Sequence, residues 1–460
     1  GSGCNLLGYY MYHGGTNPKG KFSSLQESTA VGSFCDVPEL SYDFQAPIRE
    51  YGQISETAKE LKLLSMFAHD YGDTFCNMQP QFAGNDCEST SVHTGDFQDA
   101  EDLSAFRMIT RRSGDQGYLF VNNYQRGYEM AEHKDVMLRV QTADGEIRFP
   151  KQDIKNGAYF FYPFNFPLSD DVTLRWINQT PLCNINQKLW FFYGIDKMQY
   201  EADEKLSGQV LISMDRTWAK CAWRMKKYPN ILFFSALPIL ETENGIEVIC
   251  RSDRAQKNCW IIMDATVEDA KTWIDNGWKK PDIIPDFLHV EGDASTICVL
   301  SHDLAAADNQ IVASFTHTDV NNCIIRKEKN VFQRAEKTDF SEAEACAIDD
   351  TGKDYQEYVI RISYDKAYDA AKENIFLRID FQADQAELYL NGEKIADQYY
   401  IGDVWEVSLK RFDFPTELIL RLYPLEEDDK IYLETQPNYV NGRCCGLKDI
   451  RCVYECKEKL

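Results

Sequence analysis

Short apolar and aromatic runs, each closed by a turn, fill most of this chain, and that rhythm limits its fold more than any other feature. GYLFVNNYQRG (117–127), VMLRVQ (136–141), EIRFP (146–150), AYFFYPF (158–164) and VTLRWIN (171–177) follow one another at intervals that fit strand and turn but no helix. QVLISM, NILFFSAL, GIEVICR, IIMDATV, STICVLS and QIVASFTH continue the series between about 205 and 335, where a single helical pattern, VEDAKTWIDNGW (267–278), interrupts it. Beyond about 336, ENIFLRIDF (373–381) and AELYLNGEKIAD (386–397) predict a hairpin, with Asn391-Gly392 suited to a type I′ turn; GDVWEVSL and TELILRLY complete an alternating series of jelly-roll character. No fixed-period repeat is present, so the pattern predicts packed antiparallel sheets rather than a solenoid or propeller.

The first 72 residues differ. CNLLGYYMYH (4–13) reads as one buried aromatic strand ended by Gly14-Gly15. A loop runs to about residue 40, and SYDFQAPIREYGQ (41–53) leads into a helix. Ser55 is its N-cap, Glu56 lies in its first turn, Ala58, Leu61, Leu64 and Ala68 form its apolar stripe, and Gly72 ends it. Strand, loop and amphipathic helix make one β/α unit, and one such unit cannot close a core. It must dock on something outside this chain or on the domain that follows. The boundaries that follow are 1–72, an all-β domain over 73–204, a β-rich domain with a short helix over 205–335, and a jelly roll over 336–460.

Charge narrows the ligand. Asp and Glu number 73 against 49 Lys and Arg, a formal charge of −24 spread along all 460 residues. Such a surface repels phosphate backbones and anionic lipid, which argues against nucleic-acid and membrane partners and favours a neutral, hydroxyl-rich substrate. The 15 cysteines show no framework and read as reduced thiols of a cytoplasmic protein. Cys444, Cys445, Cys452 and Cys456 are the densest group, but without a Cys-x-x-Cys or a nearby histidine they read as plain buried thiols and no metal is assigned. The remaining histidines show no paired ligand spacing, and the sequon at Asn178-Gln179-Thr180 reads as chance.

YYMYHGGTN followed by LSYDFQAPIREYGQ and a helix resembles the last strand, loop and helix of the catalytic barrel in glycoside hydrolase family 35, the β-galactosidases. Tyr10, Met11, Gly14, Gly15, Thr16 and Asn17 match the first family motif; Ser41, Tyr42, Asp43, Ala46, Pro47, Ile48, Glu50 and Gly52 match the second. Phe44 departs from it, since a tyrosine is usual there, and Gln45 stands where an acidic or small residue is common. The resemblance covers about 70 residues. It implies a mainly β fold: the last strand and helix of a (β/α)₈ barrel, followed by antiparallel β-sandwich and jelly-roll domains. It further implies a missing upstream barrel half as partner.

By that resemblance Tyr10, Tyr42 and Phe44 contact a galactoside or other carbohydrate, the ring faces packing on C–H groups and the phenols bonding hydroxyls. Phe44 keeps the ring and loses the hydroxyl. The family's catalytic pair consists of two glutamates on the fourth and seventh strands, neither of which is in this chain, so no catalytic residue is assigned and no cofactor is implied. Asp43 and Glu50 are expected to brace the loop, and His13 to bond neighbouring backbone. Trp405 and the Tyr399-Tyr400 pair suggest a sugar platform or, more simply, packing. Two functions follow: the C-terminal part of a retaining β-galactosidase, or a stand-alone, non-catalytic carbohydrate-binding or scaffold protein.

Overall fold

A computed structural model describes residues 2–19, 37–82, 101–254, 258–265, 269–304, 312–319, 324–326, 347–348, 354–364 and 366–460. The protein is mainly β, with many antiparallel sheets. It divides into two compact units, each assembled from separate stretches of chain. The first comprises Gly1–Tyr10, Lys59–Ala236 and Asn258–Asp303; the second comprises Met11–Ala58, Leu237–Lys257 and Leu304–Leu460.

In the first unit a six-stranded antiparallel sheet runs in the order Tyr200–Ala202, Thr173–Ile177, Ala158–Pro167, Gln116–Asn123, Arg107–Ser113 and Gln79–Phe82. Thr173–Ile177, Ala158–Pro167 and Gln116–Asn123 lie where alternation put them; the other three strands were not expected. VMLRVQ does not form the expected continuous strand. His133–Val136 and Arg139–Thr142 are separate and pair with Gln152–Ile154 and Gly145–Arg148 respectively. A bulge between His133 and Val136, with Asp135 at φ +56°, breaks the ladder there.

The helix Glu56–Cys76 starts as expected, with Ser55 Oγ accepting from Ala58 N at 3.2 Å. It passes through Gly72 and ends four residues later. Its buried face is also rotated from the expected stripe: Leu63, Met66, Phe67 and Tyr71 are buried while Leu64 is 40% exposed. Size decides between the two faces. Phe67 sets its ring against Tyr118 at 5.4 Å and Phe161 at 4.8 Å between centroids, and burying such a ring contributes roughly 2–3 kcal/mol, well beyond what Ala68 offers.

The second unit contains a sandwich. One sheet runs in the order Ile239–Thr242, Gly245–Arg251, Gly446–Lys459, Glu373–Gln382 and Trp405–Ser408. The other includes Asp354–Ser363, Glu417–Tyr423, Gln385–Leu390 and Glu393–Tyr399 in that order. Ile375, Leu377 and Ile379 of the first sheet share one closed core with Leu388, Leu418 and Leu420 of the second. The hairpin around Asn391-Gly392 is real, both residues having positive φ (52° and 81°), but its arms are Gln385–Leu390 and Glu393–Tyr399. Glu373–Gln382, expected as one arm, pairs instead with Gly446–Lys459 and Trp405–Ser408. Trp405 and Tyr400 belong to the core and offer no exposed platform. Cys445, Cys452 and Cys456 pack against that same core.

Residues 4–12 form no strand. The expected buried strand is instead an open stretch: Leu6, Leu7, Tyr9, Tyr10 and Tyr12 are exposed, Leu6 and Tyr10 at 90% and 89%. A strand needs neighbours for its N–H and C=O groups, and regular pairing begins only at His13, which bridges to Ile48 in parallel.

Candidate functional site

Gly14 to Asn17 and Glu39 to Gly52 interlock within the second unit. Gly14 N donates to Ile48 O at 2.7 Å, and Gly15–Thr16 pairs antiparallel with Ser41–Tyr42. Gly14 must be glycine, because a Cβ there would lie 2.9 Å from Glu50 N and 3.0 Å from Asp43 Cα. Asn17 closes the far end, its N donating to Leu40 O at 2.7 Å and its Nδ2 to Glu39 O at 3.1 Å. His13 Nδ1 donates to the adjacent Gly14 carbonyl.

Two carboxylates brace the loop from inside. Asp43 accepts Glu50 N on Oδ1 at 2.7 Å and Gln45 N on Oδ2 at 3.2 Å, and Arg49 Nε lies 2.6 Å from Oδ2. The bond to Gln45 is an Asx turn, and it holds Phe44 (φ +45°) and Gln45 (φ +54°) in a left-handed backbone that non-glycine residues rarely adopt. Glu50 accepts the Thr16 hydroxyl on Oε1 and the Ser41 hydroxyl on Oε2, the latter at 2.8 Å. Burial pushes the Glu50 carboxyl up to about 7; the two hydroxyls pull it down, and the Asp43 charge adds to the rise.

Asp397, on the strand Glu393–Tyr399, is the residue sequence reading missed. Its side chain is fully buried and accepts the backbone N–H groups of Glu39 (2.7 Å), Leu40 (3.0 Å) and Ser41 (2.9 Å). Burial raises its pKa, while those donors and Lys394 act against the rise. Lys394 pairs with Glu39, with Glu387 at 3.1 Å and with Asp397 at 3.7 Å, and these carboxylates hold it charged despite its burial. Nothing in the alternating pattern around Asp397 marks it. Only the loop packed on its strand gives the carboxylate its partners.

Of the sequence-predicted contacts, Tyr42 and Phe44 come together, edge to face with centroids 4.8 Å apart and planes at 71°. Tyr42 is half-buried and Phe44 is 54% exposed. Tyr10 falls in the first unit. A cavity of about 280 Å³ opens beside Phe44, with Ser41, Asp43 and Gln45 on the loop and Gln398, Tyr399 and Ile401 on the sandwich side. An aromatic ring beside amide and carboxylate groups suits a ligand with both C–H faces and hydroxyls. Asp43 and Glu50 already bond loop groups on both carboxylate oxygens. Asn178, the sequon asparagine, is buried with its amide bonded to Lys197 O and Gln199 N, which closes it to a glycan.

No family model matches this chain, and no curated protein matches it. Among solved structures, the GH31 alpha-xylosidase from Xanthomonas citri is similar at 10% identity, covering 81% of this chain, with a TM-score of 0.15. This chain spans 38% of that protein's length. At such a TM-score the likeness carries no argument about fold.

Proposed function

We propose that this chain is the C-terminal part of a retaining β-galactosidase, supplying substrate-binding aromatics and supporting β-domains to a barrel whose catalytic glutamates lie upstream. One observation carries the reading: the two motif segments, at least 23 residues apart in sequence, lock into a single loop in which six motif positions, Gly14, Thr16, Asn17, Ser41, Asp43 and Glu50, hold one another or the backbone between them. Gly14 allows close approach, Thr16 and Ser41 bond Glu50, Asn17 bonds the Glu39–Leu40 backbone, and Asp43 sets the turn that presents Phe44. The exposed aromatic stretch 6–12 supports it, since a last barrel strand without its neighbours would expose such side chains. Bound galactose would pack on Tyr42 and Phe44, and Tyr10 is proposed as a further sugar contact of the complete barrel.

The test is to isolate the native polypeptide from its source cells with an antibody to this chain, then measure its intact mass and its release of nitrophenol from a nitrophenyl β-galactoside. A species longer by roughly 200 residues that turns over the substrate, with kcat/KM lowered about tenfold or more by Tyr42→Phe, supports the reading. An inactive species no longer than this chain would leave a non-catalytic carbohydrate-binding or scaffold protein.

A further inference from the structure

The first unit holds a cleft of about 640 Å³ remote in sequence from the motif loop. Its wall is the edge strand Gln79–Phe82; its rim is the tips of two hairpins, around Gly114 and Ala143. Arg112 fixes that rim. Its Nε donates to Gly114 O at 2.8 Å and its Nη1 to Gln141 O at 3.0 Å, while its Nη2 reaches Asp115 Oδ1 at 3.1 Å. Asp115 Oδ1 also accepts Ala143 N at 2.9 Å, so the two tips are tied before any ligand arrives. The ion pair leaves the residues that line the cleft without net charge.

Gln79 and Gln81 stand two residues apart on the edge strand and so project from the same face. Register places Gln79 opposite Arg112 and Gln81 opposite Thr110. Both residues line the cleft, and Gln81 Oε1, although buried, has no hydrogen-bond partner among the described residues. A buried acceptor left without a donor costs about 1–3 kcal/mol, a cost that a ligand hydroxyl removes. Each amide carries a donor and an acceptor and thus matches one hydroxyl giving and one receiving.

We propose that this cleft is a second ligand site, separate from the motif loop, for a neutral hydroxyl-rich saccharide read by Gln79 and Gln81. Charge excludes the main rivals: Arg112 is already neutralised by Asp115, so neither an anion nor a cation finds an unmatched counter-charge. The reading does not depend on the β-galactosidase proposal.

The chain is titrated with lactose, galactotetraose and cellotetraose by calorimetry and saturation-transfer NMR. At least one binds saturably with Kd of about 1 mM. That binding shifts the backbone amide signal of Gly114 at the cleft rim, and Gln81→Leu weakens it about tenfold and Gln79→Ala severalfold. Should Gln81→Leu fail to fold by circular dichroism, Gln79→Ala, at an exposed position, decides alone. Two results overturn the proposal: none of the three sugars shifts the Gly114 signal up to about 20 mM, or that shift survives both glutamine variants. An extended peptide that protects the edge-strand amides equally in wild type and in both glutamine variants would also overturn it, by showing that the strand edge rather than the side chains is what binds.

Discussion

Residues 6–12 and 41–52 belong to one resemblance and meet opposite fates. Both are rich in aromatics, but only the first was expected to be a buried strand. The second is closed by carboxylates that accept its own backbone: Asp43 takes the N–H groups of Gln45 and Glu50, and Asp397 takes those of Glu39 to Ser41. The first forms no strand, and five of its six side chains face solvent. A loop can be satisfied by a few well-placed side chains. A strand needs another strand, and for 6–12 the described residues supply none until His13 reaches Ile48.

Removing Asp397 should strain this contrast most. Asp397→Ala leaves three backbone donors and Lys394 without their buried acceptor, a loss of roughly 3–5 kcal/mol by analogy with broken buried pairs. Amide exchange at Leu40 and Ser41 should accelerate at least a hundredfold, with little change at Tyr118 in the other unit. Unchanged exchange at Leu40 would mean that Asp397 does not hold the loop.

A smaller effect is expected at Glu50, and its sign follows from the pKa. The folded-state value, about 7, lies above the unfolded one near 4.5, so its contribution is fully present below about 4.5 and is lost as pH rises through 7. Glu455 is raised to about 7 by burial as well and shares this sign. The readout is therefore the difference between wild type and Glu50→Gln. Wild type should lose stability relative to the variant between pH 4.5 and 7.5, in urea melts, and a difference flat across that range would show that Glu50 titrates normally.

The smallest effect belongs to the open stretch. Tyr10→Ser should change stability by no more than about 0.5 kcal/mol while reducing binding of a hydrophobic dye. A loss of about 2 kcal/mol or more would place Tyr10 in a packed environment and erase the contrast between the two segments.

Much of the fold was legible because alternation is local. Gln116–Asn123, Ala158–Pro167, Val210–Asp215 and Glu417–Tyr423 each announce themselves within a few residues, and Ser55 announces its helix. Pairing was not legible, since the same alternating pattern fits many partners. Glu373–Gln382 looked like the arm of the nearest hairpin but joined a strand that begins over 60 residues later, and Gly245–Arg251 joined that strand from 200 residues away. The buried face of the helix was ambiguous for a related reason: two apolar stripes lie side by side, and only the aromatic cluster of Tyr118 and Phe161 selects the one with Phe67.

Tyr42, Phe44, Asp43 and Glu50 could be marked from motif spacing, and the bracing role expected of the two carboxylates matches their bonds. Asp397 and the Gln79–Gln81 cleft could not. An aspartate in KIAD and two glutamines flanking a proline are ordinary residues until a loop or hairpin is laid against them. The sequence by itself determined the elements and the motif, because propensity, periodicity and turn chemistry act over a few residues. Tertiary structure alone decided partners, burial and polar satisfaction, because these depend on which distant segments meet.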